Sequence, residues 1–286
     1  MTPEFWIVQT FNGLSYGALL FLLASGLSLI FGVMRIVNLA HGSYFLLGGY
    51  VGLSVVWRTK SFPLALLAAA TAIALVGMAM ERLFLRRLSG QTLGQVLMTV
   101  GFALIFQDLA LLIWGGDPYS LPVPLPLQGV VTVGGFRFPR YRVFIMVLAA
   151  VIGAALWLAL DRTRIGAMIR AAVDDAEMAQ GVGIRVPTVS LGVFALGAFL
   201  AALGGGIGSG FLGVYPGLDF EILPYAFVVV IVGGLGSLPG AMVGSLLVGL
   251  LDNFGKALFP ELAYFTLFAP MALILALRPT GLFGRA

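Results

Sequence analysis

PYAFVVVIVGGLGSLPGAMVGSLLVGL, Pro224–Leu250, is 27 residues long and carries no acidic or basic side chain. Spanning the hydrocarbon of a bilayer takes about 20 apolar residues, so this run is long enough to cross one. It is not uniform, because GGLGSLPG (Gly233–Gly240) interrupts it. Pro239 has no N–H to give a helix, and the glycines weaken helix further. We read the run as two short helices meeting at a turn inside the membrane. Irregular backbone at that depth is tolerated only where it is buried or lines a cavity.

The rest of the chain agrees with a lipid solvent. Of its 286 residues 60% are hydrophobic and only 10% are charged, against about 25% charged in a soluble domain. Further apolar runs lie at Phe5–Phe31, Ile36–Trp57, Phe62–Met80, Leu93–Trp114, Tyr141–Leu160, Pro187–Gly210 and Ala263–Leu277. The expected class is an all-α polytopic membrane protein of about eight transmembrane helices, with one or two broken or re-entrant segments. It is expected to form a single transmembrane domain over 1–286. The 39 glycines suit close helix crossings, and the steps Gly13–Gly17, Gly206–Gly210 and Gly240–Gly244 have small-xxx-small spacing. Met1–Glu4 lacks the basic region of a cleavable signal peptide, so the first run is expected to remain as a helix.

The net charge of +4 does not indicate nucleic acid, because the basic residues fall between apolar runs, where they set orientation. Arg82, Arg86 and Arg87 share one side with Arg162, Arg164, Arg170 and Arg185 if the N-terminus is external. Arg278 and Arg285 favour a cytoplasmic tail, which the split of Pro224–Leu250 permits. Arg137, Arg140 and Arg142 then lie outside, against the rule. There is no Cys and one His, which removes thiolate and His-rich metal sites and thiol nucleophiles. GKA at Gly255–Ala257 lacks the spacing and the Ser/Thr of a phosphate loop. No cofactor, metal site or catalytic cluster is expected.

RIGAMIRAAVDDAEMAQGVGIRVP, Arg164–Pro187, lies in the most charged stretch, Asp161–Arg185. Ile165, Met168, Ile169, Ala172, Val173, Ala176 and Ala179 share one face at helical spacing. Arg170 and Asp174 are four apart and able to pair. Gly181 and Gly183 terminate the helix and Pro187 opens the next element. The result is an amphipathic helix over Ile165–Gln180. It is either an interfacial helix on lipid or a lever docking into an ATPase, and its acidic Asp174, Asp175 and Glu177 disfavour the lipid headgroups.

At this point the residues resemble a known family. A helix of small and charged residues, then Gly, an apolar residue and Pro, looks like the cytoplasmic loop of ABC importer permeases. GVMRIVNLAHGSYFLLGGYVG (Gly32–Gly52), VVVIVGGLGSLPGAMVGSLLVGLLDN (Val228–Asn253) and LRPTGLFG (Leu277–Gly284) are similar to branched-chain amino-acid permeases of the LivH type. DDAEMA (Asp174–Ala179) departs from the Asn/Pro-like sequence expected there. The resemblance implies a bacterial or archaeal inner-membrane importer working by alternating access. It implies a homologous second permease subunit, two cytoplasmic ATP-binding subunits and a periplasmic solute-binding protein. Residues 161–186 then form the coupling loop, with Ile165, Arg170, Asp174, Asp175, Glu177 and Gly181 as its docking residues. The same architecture also serves urea or short amides. From another class, a stand-alone secondary transporter or channel would need coupling-ion ligands.

NLAHGS and GSLPGA occupy loosely corresponding places in the two halves, and paired interruptions of this kind point to a transporter site. Asn38, His41, Gly42, Ser43, Gly236 and Ser237 are therefore the candidate pathway residues, at half-helix ends whose positive N-termini suit a substrate carboxylate. His41 is expected to hydrogen-bond a neighbouring helix end, holding the broken segment, rather than to relay protons. Asp108 is the clearest acid within an apolar run, and Arg137, Arg140 or Arg142 is its expected partner.

Overall fold

The computed structural model describes residues 2–284. α1 (Pro3–Met34) is the axis of the bundle. Its apolar residues go all the way round, and from Gly13 to Ile30 nearly every residue is buried, as expected of a helix without a polar face. It stops at Arg35, a left-handed residue (φ 53°) whose N–H bonds the Phe31 carbonyl at 2.8 Å. The chain continues without helix to Ala40, and α2 (His41–Thr59) begins in the protein interior. α3 (Phe62–Leu83) and α4 (Thr92–Trp114) follow.

The Pro- and Gly-rich segment after α4 holds a small hairpin. β1 (Val130–Val133) pairs antiparallel with β2 (Phe136–Pro139), Val130 opposite Pro139. Gly134 and Gly135 make the turn at φ 58° and 87°, the two positive values that a two-residue hairpin loop requires. α5 (Arg140–Arg162) then leads to the short helices α6 (Arg164–Asp174) and α7 (Ala176–Gly181). α8 (Val186–Ser209), α9 (Leu218–Gly233), α10 (Leu238–Leu258) and α11 (Ala263–Leu277) complete the chain.

Among the described residues, six helices are long and apolar enough to cross a membrane alone: α1, α3 with the turn after it, α4, α5, α8 and α10. α2, α9 and α11 have 19, 16 and 15 residues. The expected span at Ile36–Trp57 is thus shortened, because Ile36–Ala40 is not helical. The start of α9 also differs from the sequence reading. Asp219 and Glu221, which precede the apolar run starting at Pro224, lie in the first turn of α9, and Pro224 sits within that helix. Acidic residues in a first turn complement the N-terminal end of the helix dipole.

Arg35, Arg82, Arg86, Arg87, Arg162, Arg164, Arg170, Arg185 and Arg278 flank helix ends gathered at one end of the bundle. The opposite end carries the β-hairpin, the starts of α1 and α5, and the end of α10. α10 runs antiparallel to α1, with Gly249 beside Gly13 and Gly236 beside Gly32. The tail then returns along the last turn of α9, where Leu282 N–H bonds the Val232 carbonyl and Phe283 N–H that of Gly233, each at 2.9 Å. Glycine makes the crossings possible. A Cβ on Gly13 would sit 2.9 Å from the Leu250 Cα, and one on Gly17 or Gly244 2.6 Å from a carbonyl oxygen of the neighbouring helix. Contacts that short require a backbone without a side chain.

The structure departs from the sequence reading at two further points. The break at Gly233–Gly240 does separate two helices, but its turn lies at the arginine-rich end, against Gly32 in the last turn of α1, rather than in the middle of the membrane. Asp108 is exposed on α4 among Leu104, Ile105, Leu111 and Leu112. It has no ion pair with Arg137, Arg140 or Arg142. Arg142 instead binds the Asn12 side chain and stacks on Phe211 at 4.6 Å.

Candidate functional site

The expected single helix over Ile165–Gln180 is an elbow of two, because Asp175 is extended (φ −153°, ψ 103°) and caps the second one. Its carboxylate accepts from Glu177 N–H at 3.0 Å and Met178 N–H at 2.9 Å. Thr163 caps α6 in the same way, its Oγ1 accepting from Gly166 N–H at 3.1 Å. A short polar side chain competes for the backbone, which suits it to a helix start and not to an interior. Gly166 is needed where α6 turns off α5, since a Cβ there would meet the Ala159 carbonyl oxygen at 2.5 Å. Arg170 donates to the Leu160 carbonyl rather than to Asp174.

The two faces of the elbow are distinct. Ile169, Ala172 and Ala179 are buried against the bundle. Ile165, Met178 and Val182 are at least 65% exposed, alongside exposed Asp175 and Glu177. Ile165 therefore does not join the buried face that its spacing suggested. Gly181 ends α7, Gly183 turns the chain at φ 90°, and Pro187 lies in the first turn of α8, as the sequence implied.

An ion pair staples this joint. Glu81 at the end of α3 is buried, and Arg86 grips it with two hydrogen bonds of 3.1 and 2.8 Å. The same guanidinium donates to the Pro187 carbonyl at 3.0 Å. The α3–α4 link is thus tied to the point where the elbow re-enters the bundle.

Gly236 and Ser237 belong with the elbow and not with the Asn38–Ser43 group. A cavity of about 560 Å³ lies between the end of α1, the end of α5, α6 and the α9–α10 turn. Arg35, Arg170, Asp174, Gly236 and Ser237 line it. Ser237 caps α10, accepting from Gly240 N–H at 3.1 Å, and its carbonyl accepts from Ser28 Oγ at 3.3 Å. α6 and the α9–α10 turn face each other across this space.

Asn38, His41, Gly42 and Ser43 form a second group, deeper in the bundle. Leu39 N–H bonds the Thr99 Oγ1 at 3.2 Å. Thr99 is seven residues into α4, about 10 Å from its end by helix rise. His41 Nε2 donates to the Leu23 carbonyl at 2.9 Å; a carbonyl only accepts, so the proton sits on that nitrogen. The ring holds a neighbouring helix as expected, but in the middle of α1 rather than at a helix end. Gly42 lets α9 approach, since a Cβ would meet the Asp219 carbonyl carbon at 3.1 Å. Ser43 Oγ donates to Asp219 at 2.8 Å. A buried carboxylate thus faces the positive start of α2. Sequence reasoning missed Asp219 because Pro224 hid the true start of α9. The signal was present in GLDFE, a Gly followed by acids.

The chain was compared with known proteins. The family model for the branched-chain amino acid transport system permease component matches residues 9–277. BraD of Pseudomonas aeruginosa, a high-affinity branched-chain amino acid transport system permease protein, is 30% identical over 99% of this chain and 98% of its own length. LivH of Escherichia coli K12 is 29% identical over 98% of this chain and 96% of its own. A probable LivH of Methanocaldococcus jannaschii is 27% identical over 83% and 77%. The family is a transport component and not an enzyme, and its apolar helices make it a multi-pass membrane protein. With a family model covering nearly its whole length and relatives aligned end to end, the chain belongs to the permease-component family of branched-chain amino acid transport systems.

Proposed function

We propose that this chain, as a single permease domain over 1–286, forms half of the translocation pathway of an ATP-driven importer of branched-chain or similar apolar amino acids. Its partners are a homologous second permease subunit, two cytoplasmic ATP-binding subunits and a periplasmic solute-binding protein, in the inner membrane of a bacterium or archaeon. The observation that carries the reading is the α6–α7 elbow. It seats one face in the bundle and leaves Ile165, Asp175, Glu177, Met178 and Val182 free at the arginine-rich end. Arginine collects on the cytoplasmic side, which is where ATP is available. Residues 161–186 are the coupling loop, in which Arg170, Asp174 and Gly181 shape the lever and the exposed residues meet the motor.

Movement of the elbow passes along two routes, through Arg86 to α3 and across the cavity to the α9–α10 turn. Asn38–Ser43, with Asp219, mark the pathway at the paired starts of α2 and α9. The relatives' names favour amino acids over urea or short amides.

The test is copurification and uptake. Glu177→Lys combined with Met178→Asp should release the ATP-binding subunits from the complex; their retention would remove the docking role. In proteoliposomes holding the complete transporter, leucine uptake should require both ATP and the binding protein. Uptake of urea or acetamide in place of leucine would move the reading to amides.

A further inference from the structure

Outside the elbow and the α2–α9 contact, polar and aromatic residues towards the hairpin end form a cage. Lys256, in the last turn of α10, places its ammonium 5.8 Å from the ring centre of Tyr16 and 5.4 Å from that of Tyr225. The two rings meet edge to face at 5.9 Å. The ammonium also pairs with Asp252 Oδ2 at 2.8 Å. Glu221, in the first turn of the same helix as Tyr225, accepts from the Tyr215 hydroxyl at 2.7 Å. Tyr16 is within electrostatic range of Asp252, Glu221, Tyr215 and Tyr225 together.

This is the form of a receptor for an alkylammonium group. Aromatic faces within about 6 Å attract such a cation through the ring quadrupole, and a carboxylate adds directionality. Its floor is closed and its mouth is open. The Asp252 side chain is 5% exposed and that of Lys256 54%. Asp252 Oδ1 is buried without a partner by hydrogen-bond geometry, although Tyr225 is near enough to sense its charge.

The charges do not balance. Lys256 neutralises Asp252, while Glu221, exposed in the first turn of α9 and accepting from Tyr215, has no ion pair among the described residues. The neighbouring Arg142 is engaged elsewhere, with Asn12 and Phe211. A purely structural ion pair would need Asp252 and Lys256 alone. Depth is suitable for a site of first capture, since Asp252 lies six residues before the end of α10, about 9 Å in by helix rise.

We propose that Tyr16, Tyr225, Asp252 and Glu221 form a capture site for the α-ammonium group of the amino acid, at the hairpin-end mouth of the pathway, with Lys256 as a built-in occupant that the substrate displaces. The proposal rests on the amino-acid import reading, and the probes below separate the two. Isoamylamine is leucine without its carboxylate, and 4-methylpentanoate is leucine without its ammonium.

Calorimetric titration of the complete transporter in lipid nanodiscs is expected to show binding of the amine and none of the acid. Glu221→Gln and Tyr225→Leu should each weaken the amine by about threefold to thirtyfold, the range of one cation–π or charge contact. Lys256→Met should tighten it, because the competing ammonium is gone. A structural role for Lys256 predicts no tightening, only a lower melting temperature. The proposal is overturned if wild type and Lys256→Met both fail to bind the amine, if the acid binds equally well, or if Glu221→Gln and Tyr225→Leu leave binding unchanged. ATP-dependent leucine uptake is measured in parallel. Amine binding without uptake of any amino acid would retain the cage and refute the importer reading, and uptake without amine binding would do the reverse.

Discussion

Arg86→Ala should uncouple the elbow from the bundle, and the cost follows from the geometry. Glu81 is 2% exposed and receives two hydrogen bonds from Arg86, which is itself 38% exposed. Removing one partner of a fully buried pair costs about 3–5 kcal/mol, because the other charge stays buried and uncompensated. Here water reaches the pair from the arginine side, so about 2–3 kcal/mol is expected. The Pro187 carbonyl also loses its donor. In a chain of this size that corresponds to a fall of about 3–5 °C in apparent melting temperature. Arg86→Lys keeps the charge but not the two-pronged grip, and should fall between Arg86→Ala and wild type. The pair Glu81→Gln with Arg86→Met removes both charges and should recover more than half of the loss, a non-additivity that a double-mutant cycle measures. Thermal unfolding in nanodiscs gives the stabilities, and hydrogen exchange over 182–190 shows whether the joint has loosened. An Arg86→Ala protein with wild-type melting and unchanged protection at that joint would refute the account.

Other expectations follow from single features. Gly48→Ala would drive its Cβ into the Ala202 backbone and should destabilise the α2–α8 crossing by about 1–3 kcal/mol. Gly101→Ala, with nothing within 4 Å, should instead stabilise α4 slightly, by about 0.5–1 kcal/mol; melting shifts of the same sign would contradict this. Asp175→Ala removes the cap of α7 and should cost that helix about 0.5–2 kcal/mol, read as faster amide exchange at Glu177 and Met178, and unaltered exchange there would sink the assignment. Asp108→Leu should improve insertion of α4 by about 1–2 kcal/mol, less than the 2.5–3.5 kcal/mol of a central carboxylate. A glycosylation-mapping assay that found no gain would show that Asp108 does not face lipid.

The sequence by itself determined the membrane class, the elbow's position and its terminators, and the break after Gly233. Each is written in local composition, since a long uncharged run has no stable place in water, and Gly and Pro interrupt a helix wherever they fall. The helix-holding role of His41 was also legible, because a lone polar ring in an apolar setting needs a partner.

Only the tertiary structure decided depth and company. Nothing in NLAHGS and GSLPGA says that one group lies inside the bundle against Thr99 while the other closes a cavity with Arg170. That separation comes from α10 running antiparallel to α1, which carries Gly236 to the last turn of α1. The meeting of Ser43 with Asp219, 176 positions away, and of Tyr16 with Tyr225 and Lys256 are likewise products of packing. Spacing along a chain reports which residues share a helix face. Which faces meet is set by where glycines allow backbones to touch, and that depends on all the helices at once.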